Sequence, residues 1–488
     1  MPVFPVSSAL GSAARLVLTA LLLAIGCATA QDLPPEVDAA LARAKLPRDA
    51  VSVLLVDAQG KAPPRISHRV DAIVNPASVM KLVSTYAALD LLGPAFTWST
   101  PVFLDAPVRN GTLAGNLYLR GQGDPTLVAE RLWLLMRRVR ALGIERIGGD
   151  IVLDHSAFAL SQSDPGGFDG EPLRPYNVAP DALLLNYKSV VMTFVVDRSA
   201  NLARVHVNPP LAGVEVPASV PLSGSECGDY RGVLRADFSD PLRVRFGGSY
   251  PAACQERTWA VAFADPASHA ARAVAGMWRE VGGQLGGMVR DGPVPAAATP
   301  VFEVTSPSLA EVVRDINKYS NNVMAQQLFL SLSLPANRPN GKTTAVDNAE
   351  PASFAASRDV VRRWWQERFP DLEPPVLDNG SGLSRSARIS VLALGRMLQT
   401  AYQSPLMPEL MSSLPIAGVD GTMRRNRSRA AGSAHLKTGS LRDVVAIAGY
   451  VHASSGRRYV LVAITNHPNA GASRAAFDVL LEWALKDL

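Results

Sequence analysis

The stretch NPASVMKLVSTYAALDLL, residues 75 to 92, leaves little room for a solvated face on any helix it forms, yet it holds Lys81 one turn after Ser78. A helix that is apolar all round belongs in a core, so a lysine within it constrains the fold more than any other feature of the chain. Either the side chain snorkels to water and Ser78 serves as a helix cap after Pro76, or the amine is enclosed beside the serine hydroxyl. The second arrangement is chemical. A serine hydroxyl is a weak nucleophile until its proton is removed, and a lysine three residues further along a helix lies within reach of that proton. Free lysine titrates near ~10.4, so it acts as a base only where burial or a nearby cation disfavours its charge.

The 488 residues, 48% hydrophobic and 19% charged, suit a globular protein of two or three domains. The formal charge of +5 is scattered without a basic run, which argues against a nucleic-acid partner. The pair RRWW at 362 to 365 sits in an amphipathic helical pattern and reads as a packed helix flank rather than a base-stacking platform.

Between Met1 and Ala30 the one charged side chain is Arg15, followed by LVLTALLLAIG and then ATA, the layout of a cleaved export signal over residues 1–30. The apolar run is shorter than the roughly 20 residues of a spanning helix, and no later segment qualifies, so the mature chain is expected outside the cytoplasm without a transmembrane segment. Cys27 after Gly26 leaves lipid attachment as an alternative, although Ala24 is a poor residue for such a site. Once the signal is removed Cys227 and Cys254 remain, and an even count in an oxidising compartment suggests one disulfide, two buried thiols being the other reading. The histidines show no HxH or HxxxH spacing and two cysteines cannot build a structural zinc site, so neither a metal nor a cofactor is expected.

A strand VSVLLVDA and a second around ISHRVDAIV precede the quoted helix, while SAHLKTGSL, VVAIAGYVHA and RYVLVAIT read as three strands before a closing helix from about residue 473. Both ends of the chain therefore contribute to one antiparallel sheet with helices on its faces, an α/β (α+β) class. The middle differs. RLWLLMRRVRALGIERIGGDIVLD and ARAVAGMWREVGGQLGGMVRDG each read as helix, glycine-rich turn and strand, flanking a segment of short β-like runs. The expected organisation is a catalytic domain from 31–124 and 304–488, an inserted α/β domain from 125–203 and 259–303, and a nested small β domain from 204–258.

Two further segments favour the chemical reading of Lys81. INKYSNNVMAQQL offers Ser320 and Asn322, and AHLKTGSL places Lys437, Thr438, Gly439 and Ser440 on a predicted strand. Ser-x-x-Lys, Ser-x-Asn and Lys-Thr-Gly in this order form the signature of serine acyltransferases acting on penicillins and D-Ala-D-Ala peptides. Each alone is a weak signal, and another Ser-x-Asn at Ser199 to Asn201 reads as a hairpin turn.

With these motifs the chain resembles the class C low-molecular-mass penicillin-binding proteins, D-alanyl-D-alanine carboxypeptidases and endopeptidases of the bacterial periplasm or cell surface. The resemblance extends to LRGQGDPTL, SPSLAEVVRDINKYSNNVMAQQL, LDNGSGLSR and SLPIAGVDGTMRR, and departs from the pattern at Gln326 and in the long segment before LDNGSGLSR. It implies a penicillin-binding, serine β-lactamase-like domain interrupted by two nested insertions, acting in the periplasm on peptidoglycan stem peptides and inhibited by β-lactams. It also implies roles. Ser78 attacks the penultimate D-Ala carbonyl and Lys81 takes its proton; Ser320 relays a proton to the leaving amine and Asn322 orients Lys81 or the substrate. The backbone N–H groups of Ser78 and Ser440 form the oxyanion hole, Lys437, Thr438, Gly439 and Ser440 receive the terminal carboxylate, and Arg385 contacts substrate. Two rivals stand beside this reading. A serine β-lactamase or esterase shares the motifs but calls for a base for deacylation, and a non-catalytic peptidoglycan-binding protein would be expected to lack Ser78 or a lysine.

Overall fold

The computed structural model describes residues 32–161, 164–334 and 350–487. The expected export signal, Cys27 and most of the long segment before LDNGSGLSR lie outside the described residues. Five antiparallel strands form the central sheet: β1 (Val51–Asp57), β2 (Ile66–His68), β3 (Ala434–Leu441), β4 (Val444–His452) and β5 (Arg458–Asn466), in the order β2-β1-β5-β4-β3. The first and last parts of the chain thus share a sheet, as their patterns imply. The strand expected around ISHRVDAIV is two pieces: Ile73–Val74 leaves the sheet and pairs with Ile389–Ser390 instead.

The run VSVLLVD is apolar at nearly every position because both faces of the sheet are covered. Leu54 and Val56 of β1 point into one core, while Val53 and Leu55 point into another, the period-two alternation of a strand. The first core holds the helices α2 (Lys81–Leu92), α3 (Leu309–Tyr319), α4 (Asn322–Ser331) and α5 (Val391–Gln403); the second is closed by α1 (Pro35–Arg43) and α6 (Arg474–Lys486). The RRWW pair falls in the helix Phe354–Arg368, where Trp364 and Trp365 are buried and the Trp364 indole donates to Asp90 at 2.7 Å. No helix among the described residues is long and apolar enough to cross a membrane.

The insertion leaves and returns through two neighbouring antiparallel strands, Ser99–Leu104 and Phe302–Thr305. Their sheet continues through Leu117–Arg120, Ile151–Asp154 and Val289–Asp291. Both helix, turn and strand segments read from sequence are present, as Ala129–Ala141 with Ile151–Asp154 and His269–Glu280 with Val289–Asp291, and the two strands lie side by side in parallel. Strand pairing runs wider than the expected boundaries. The inserted sheet begins at Ser99 rather than near 125, and the nested sheet runs from Ser189–Asp197 to Glu256–Ala262 rather than over 204–258. A strand as short as Ser99–Leu104 carries too little periodicity to mark where a domain starts, and the longer strands of the nested sheet resemble those of the domains on either side. In the nested sheet Cys227 and Cys254 form a disulfide beside a core that includes Phe194 and Tyr250, their rings stacked 5.3 Å apart.

Candidate active site

Ser78 lies on the 3-10 turn Ala77–Met80 that feeds α2. Residues three apart nearly eclipse in such a turn, which brings the first α-helical residue, Lys81, over the serine. The Lys81 Nζ is 3.1 Å from the Ser78 Oγ and also donates to the Asn322 Oδ1 at 2.7 Å and the Ser381 carbonyl at 2.6 Å. Ala77, just before the nucleophile, has φ 48°. A left-handed alanine persists only where its surroundings over-determine it, and here the Asn75 Oδ1 accepts its N–H at 2.8 Å while Asn75 is itself bonded to Asn466 and to the Ser384 carbonyl.

Ser320 caps α3 at φ 56°, the conformation that ends helices, and Asn321 then caps α4 by accepting the Met324 N–H. The resulting one-residue corner aims Ser320 and Asn322 at the same cavity from two helices. Asn322 is bound at both ends: its oxygen accepts from Lys81, and its Nδ2 donates to the carbonyl of Tyr176, in the insertion, at 3.1 Å. From β3, Lys437 donates to the Ser320 Oγ and the Thr438 carbonyl, each at 2.8 Å. Thr438 and Ser440 alternate onto the other face of the strand; Thr438 shares a hydrogen bond of 2.7 Å with Thr422, and Ser440 accepts from Arg474 at 2.8 Å. A side chain at Gly439 would place its Cβ 2.6 Å from the Pro76 carbonyl oxygen and 3.2 Å from the Ser78 nitrogen, so only glycine lets β3 lie against the nucleophile turn.

Lys81 and Lys437 are both fully buried. Burial, and then the charge of Lys437, holds the Lys81 amine well below the ordinary lysine range; burial brings Lys437 down to about 7. No carboxylate is hydrogen-bonded to Ser78, Lys81, Ser320 or Lys437 among the described residues.

The structure gathers eight of the nine catalytic and substrate-binding residues expected from sequence around one cleft of about 650 Å³ or its floor. Arg385 stands apart from this network, its guanidinium 4.9 Å over the Phe168 ring and bonded to the Phe168 carbonyl. Ser199 to Asn201 form the turn of a hairpin, as read. Sequence reasoning passed over Thr422, Arg474, Tyr176 and the Ser381 carbonyl. Thr422 and Ser381 sit in stretches that carry the resemblance, whereas Tyr176 and Arg474 have no spacing signal at all. A second hollow, about 290 Å³ and mainly apolar, lies in the nested domain and holds none of these groups. Among the described residues no group of three His, Cys, Asp or Glu is placed to hold a metal.

The fold is that of a penicillin-binding protein: the crystal structure of penicillin-binding protein 4 (DacB) from Haemophilus influenzae superposes with a TM-score of 0.69 at 22% identity, covering 91% of this chain and 99% of that one. The same protein complexed with a β-lactam superposes at 0.66 and 22% identity, covering 92% of this chain and 100% of that one. A D-alanyl-D-alanine carboxypeptidase of Actinomadura sp. (strain R39) is 29% identical over 425 residues, 82% of this chain and 74% of that protein. Residues 33–485 match the D-Ala-D-Ala carboxypeptidase 3 (S13) family, to which the chain belongs. It is a serine-type D-Ala-D-Ala carboxypeptidase.

Proposed function

We propose that Ser78 is the nucleophile of this carboxypeptidase, with Lys81 as its base, and that the same centre also cuts D-Ala to diaminopimelate cross-links of peptidoglycan. One observation carries the reading: an amine buried out of water, its charge disfavoured by burial and by a second lysine, lies 3.1 Å from a serine hydroxyl. The Ser78 Oγ attacks the D-Ala carbonyl carbon while its proton passes to Lys81. The oxyanion is held by the N–H groups of Ser78 and Ser440, which the glycine at 439 lets approach. On collapse the C–N bond breaks and the leaving amine takes a proton through Ser320, whose hydroxyl is tied to Lys437. Water then hydrolyses the ester on Ser78. Asn322 fixes Lys81, and Lys437, Thr438 and Ser440 receive the carboxylate one residue beyond the scissile bond. Arg385, held beside Phe168, contacts the substrate outside this network.

β-Lactams acylate the same serine, a reading supported by the β-lactam complex of the Haemophilus protein. Among the described residues no carboxylate is bonded to Ser78, Lys81, Ser320 or Lys437, which favours a long-lived acyl-enzyme over lactamase turnover. In this reading the protein acts in the periplasm, which the apolar run after Arg15 and the Cys227–Cys254 disulfide support. Labelled penicillin should attach to wild-type protein for minutes or longer and not at all to folded Ser78→Ala; undiminished labelling of that variant overturns the nucleophile.

A further inference from the structure

We propose that Arg425, Arg427 and Arg474 form a receiving wall for the carboxylates of the leaving stem peptide when a cross-link is cut, an inference that rests on the endopeptidase reading above. The three arginines line the cleft that opens from Ser78 and Ser440. This wall is fastened to the strand that takes the leaving residue's carboxylate: Thr422 bonds Thr438, and the Arg474 guanidinium donates to the Ser440 hydroxyl at 2.8 Å. Any part of the substrate that continues past that carboxylate therefore runs along it.

Some arginines elsewhere are neutralised by carboxylates, as Arg131 is by Asp124, Arg290 by Asp150 and Arg368 by Asp90. Arg425, Arg427 and Arg474 form no ion pair among the described residues, and all three are exposed. The one carboxylate lining the cleft, Asp478, is occupied by the Asn426 amide at 2.7 Å, and burial followed by Glu482 pushes its carboxyl above the usual range against that bond. Three guanidinium groups without a carboxylate partner at a concave surface focus a positive potential that an anion relieves. Carboxylates suit them, since a guanidinium binds one through two parallel N–H donors.

Substrate chemistry supplies the anion. A terminal D-Ala ends at the carboxylate held by Thr438 and Ser440, and a cleft of about 650 Å³ extends past it. When the leaving group is the D-centre of a diaminopimelate, a second stem peptide follows, and its D-Glu carries a free α-carboxylate. The wall thus discriminates in favour of cross-linked substrate with an unamidated D-Glu.

The test compares kcat/KM for a cross-linked muropeptide dimer with kcat/KM for D-Ala release from a pentapeptide, using wild-type and Arg425→Gln/Arg427→Gln protein matched for penicillin labelling. The expected result is an about tenfold fall in the dimer-to-pentapeptide ratio, carried by KM, and a much smaller fall when the leaving stem's D-Glu is amidated. An unchanged ratio, or the same fall with the amidated dimer, overturns the wall. Wild-type protein provides a second measurement: added salt should slow dimer cleavage more than D-Ala release, and equal salt dependence overturns the proposal without any variant. Protein that releases D-Ala but leaves the dimer intact removes the wall and keeps the carboxypeptidase assignment. Protein that takes penicillin yet releases no D-Ala overturns the peptidase reading beneath it.

Discussion

The central sheet is covered on both faces and encloses two lysines completely, whereas the nested sheet buries one face, shows an alternating pattern along Leu202–Asn208, and keeps its ion pairs, such as Arg204 with Asp197, in water. The first has two large apolar clusters behind it; the second has a small one and a disulfide. Burying an amine costs several kcal/mol, and only a core of the first kind can offset that while holding the groups still. The comparison separates a region whose packing is arranged around a strained reacting centre from one whose packing serves its own integrity.

Adding one methyl group at Gly439 tests the first half of that contrast most severely. Gly439→Ala drives β3 away from Pro76 and Ser78, and acylation by penicillin should fall by about 100-fold or more as an oxyanion donor is displaced, with folding retained. Near-normal acylation would show that the close approach is not needed. In the nested domain, replacing Cys227 and Cys254 by serine opens a cross-link with a sequence separation of 27 and should weaken that unit by about 3 kcal/mol, seen as faster amide exchange in the strands 189–208, while turnover per folded molecule stays level. Collapse of specific activity would bring the small domain closer to the chemistry.

The smallest effect is the pH dependence of the enclosed lysine. Burial brings the Lys437 amine down to about 7 in the folded chain. Below that pH both the folded and the unfolded chain bind the proton. Above it, up to the ordinary lysine value near ~10.4, only the unfolded chain does, so stability rises with pH by about 1.4 kcal/mol per unit for this proton. Lys437→Met should remove that slope from the urea midpoints between pH 7 and 9; parallel profiles for variant and wild type would contradict the buried neutral amine.

What could be read beforehand follows the same division. Ser78, Lys81, Ser320, Asn322 and Lys437 were legible because each chemistry needs a fixed spacing within one local element, and the structure brings those side chains together. Tyr176 and Arg474 were not, because they reach the site from a loop of the insertion and from the start of α6, and contacts made across the fold leave no local period. Arg385, singled out by its stretch, turned out to be engaged by Phe168. The α2 helix was visible as an apolar run; the start of the insertion at Ser99 was not, since a short strand there resembles the catalytic strands before it.

The register Val51↔Thr465 joins a strand made early in synthesis to one made long after it, and the insertion lies between them on its paired strands Ser99–Leu104 and Phe302–Thr305. In time, therefore, assembly runs from the middle of the chain outwards. The insertion has all its own partners once residue 305 has been made and can close on itself, while β1 waits unpaired on its β5 side until Arg458–Asn466 has been made. The Ser78 turn is held to the end of β5 through Asn75 and Asn466, so the nucleophile acquires its geometry only with that last pairing. A chain stopped before β5 then displays a folded insertion but no reactive serine, and the carboxypeptidase is inert until that strand is in place.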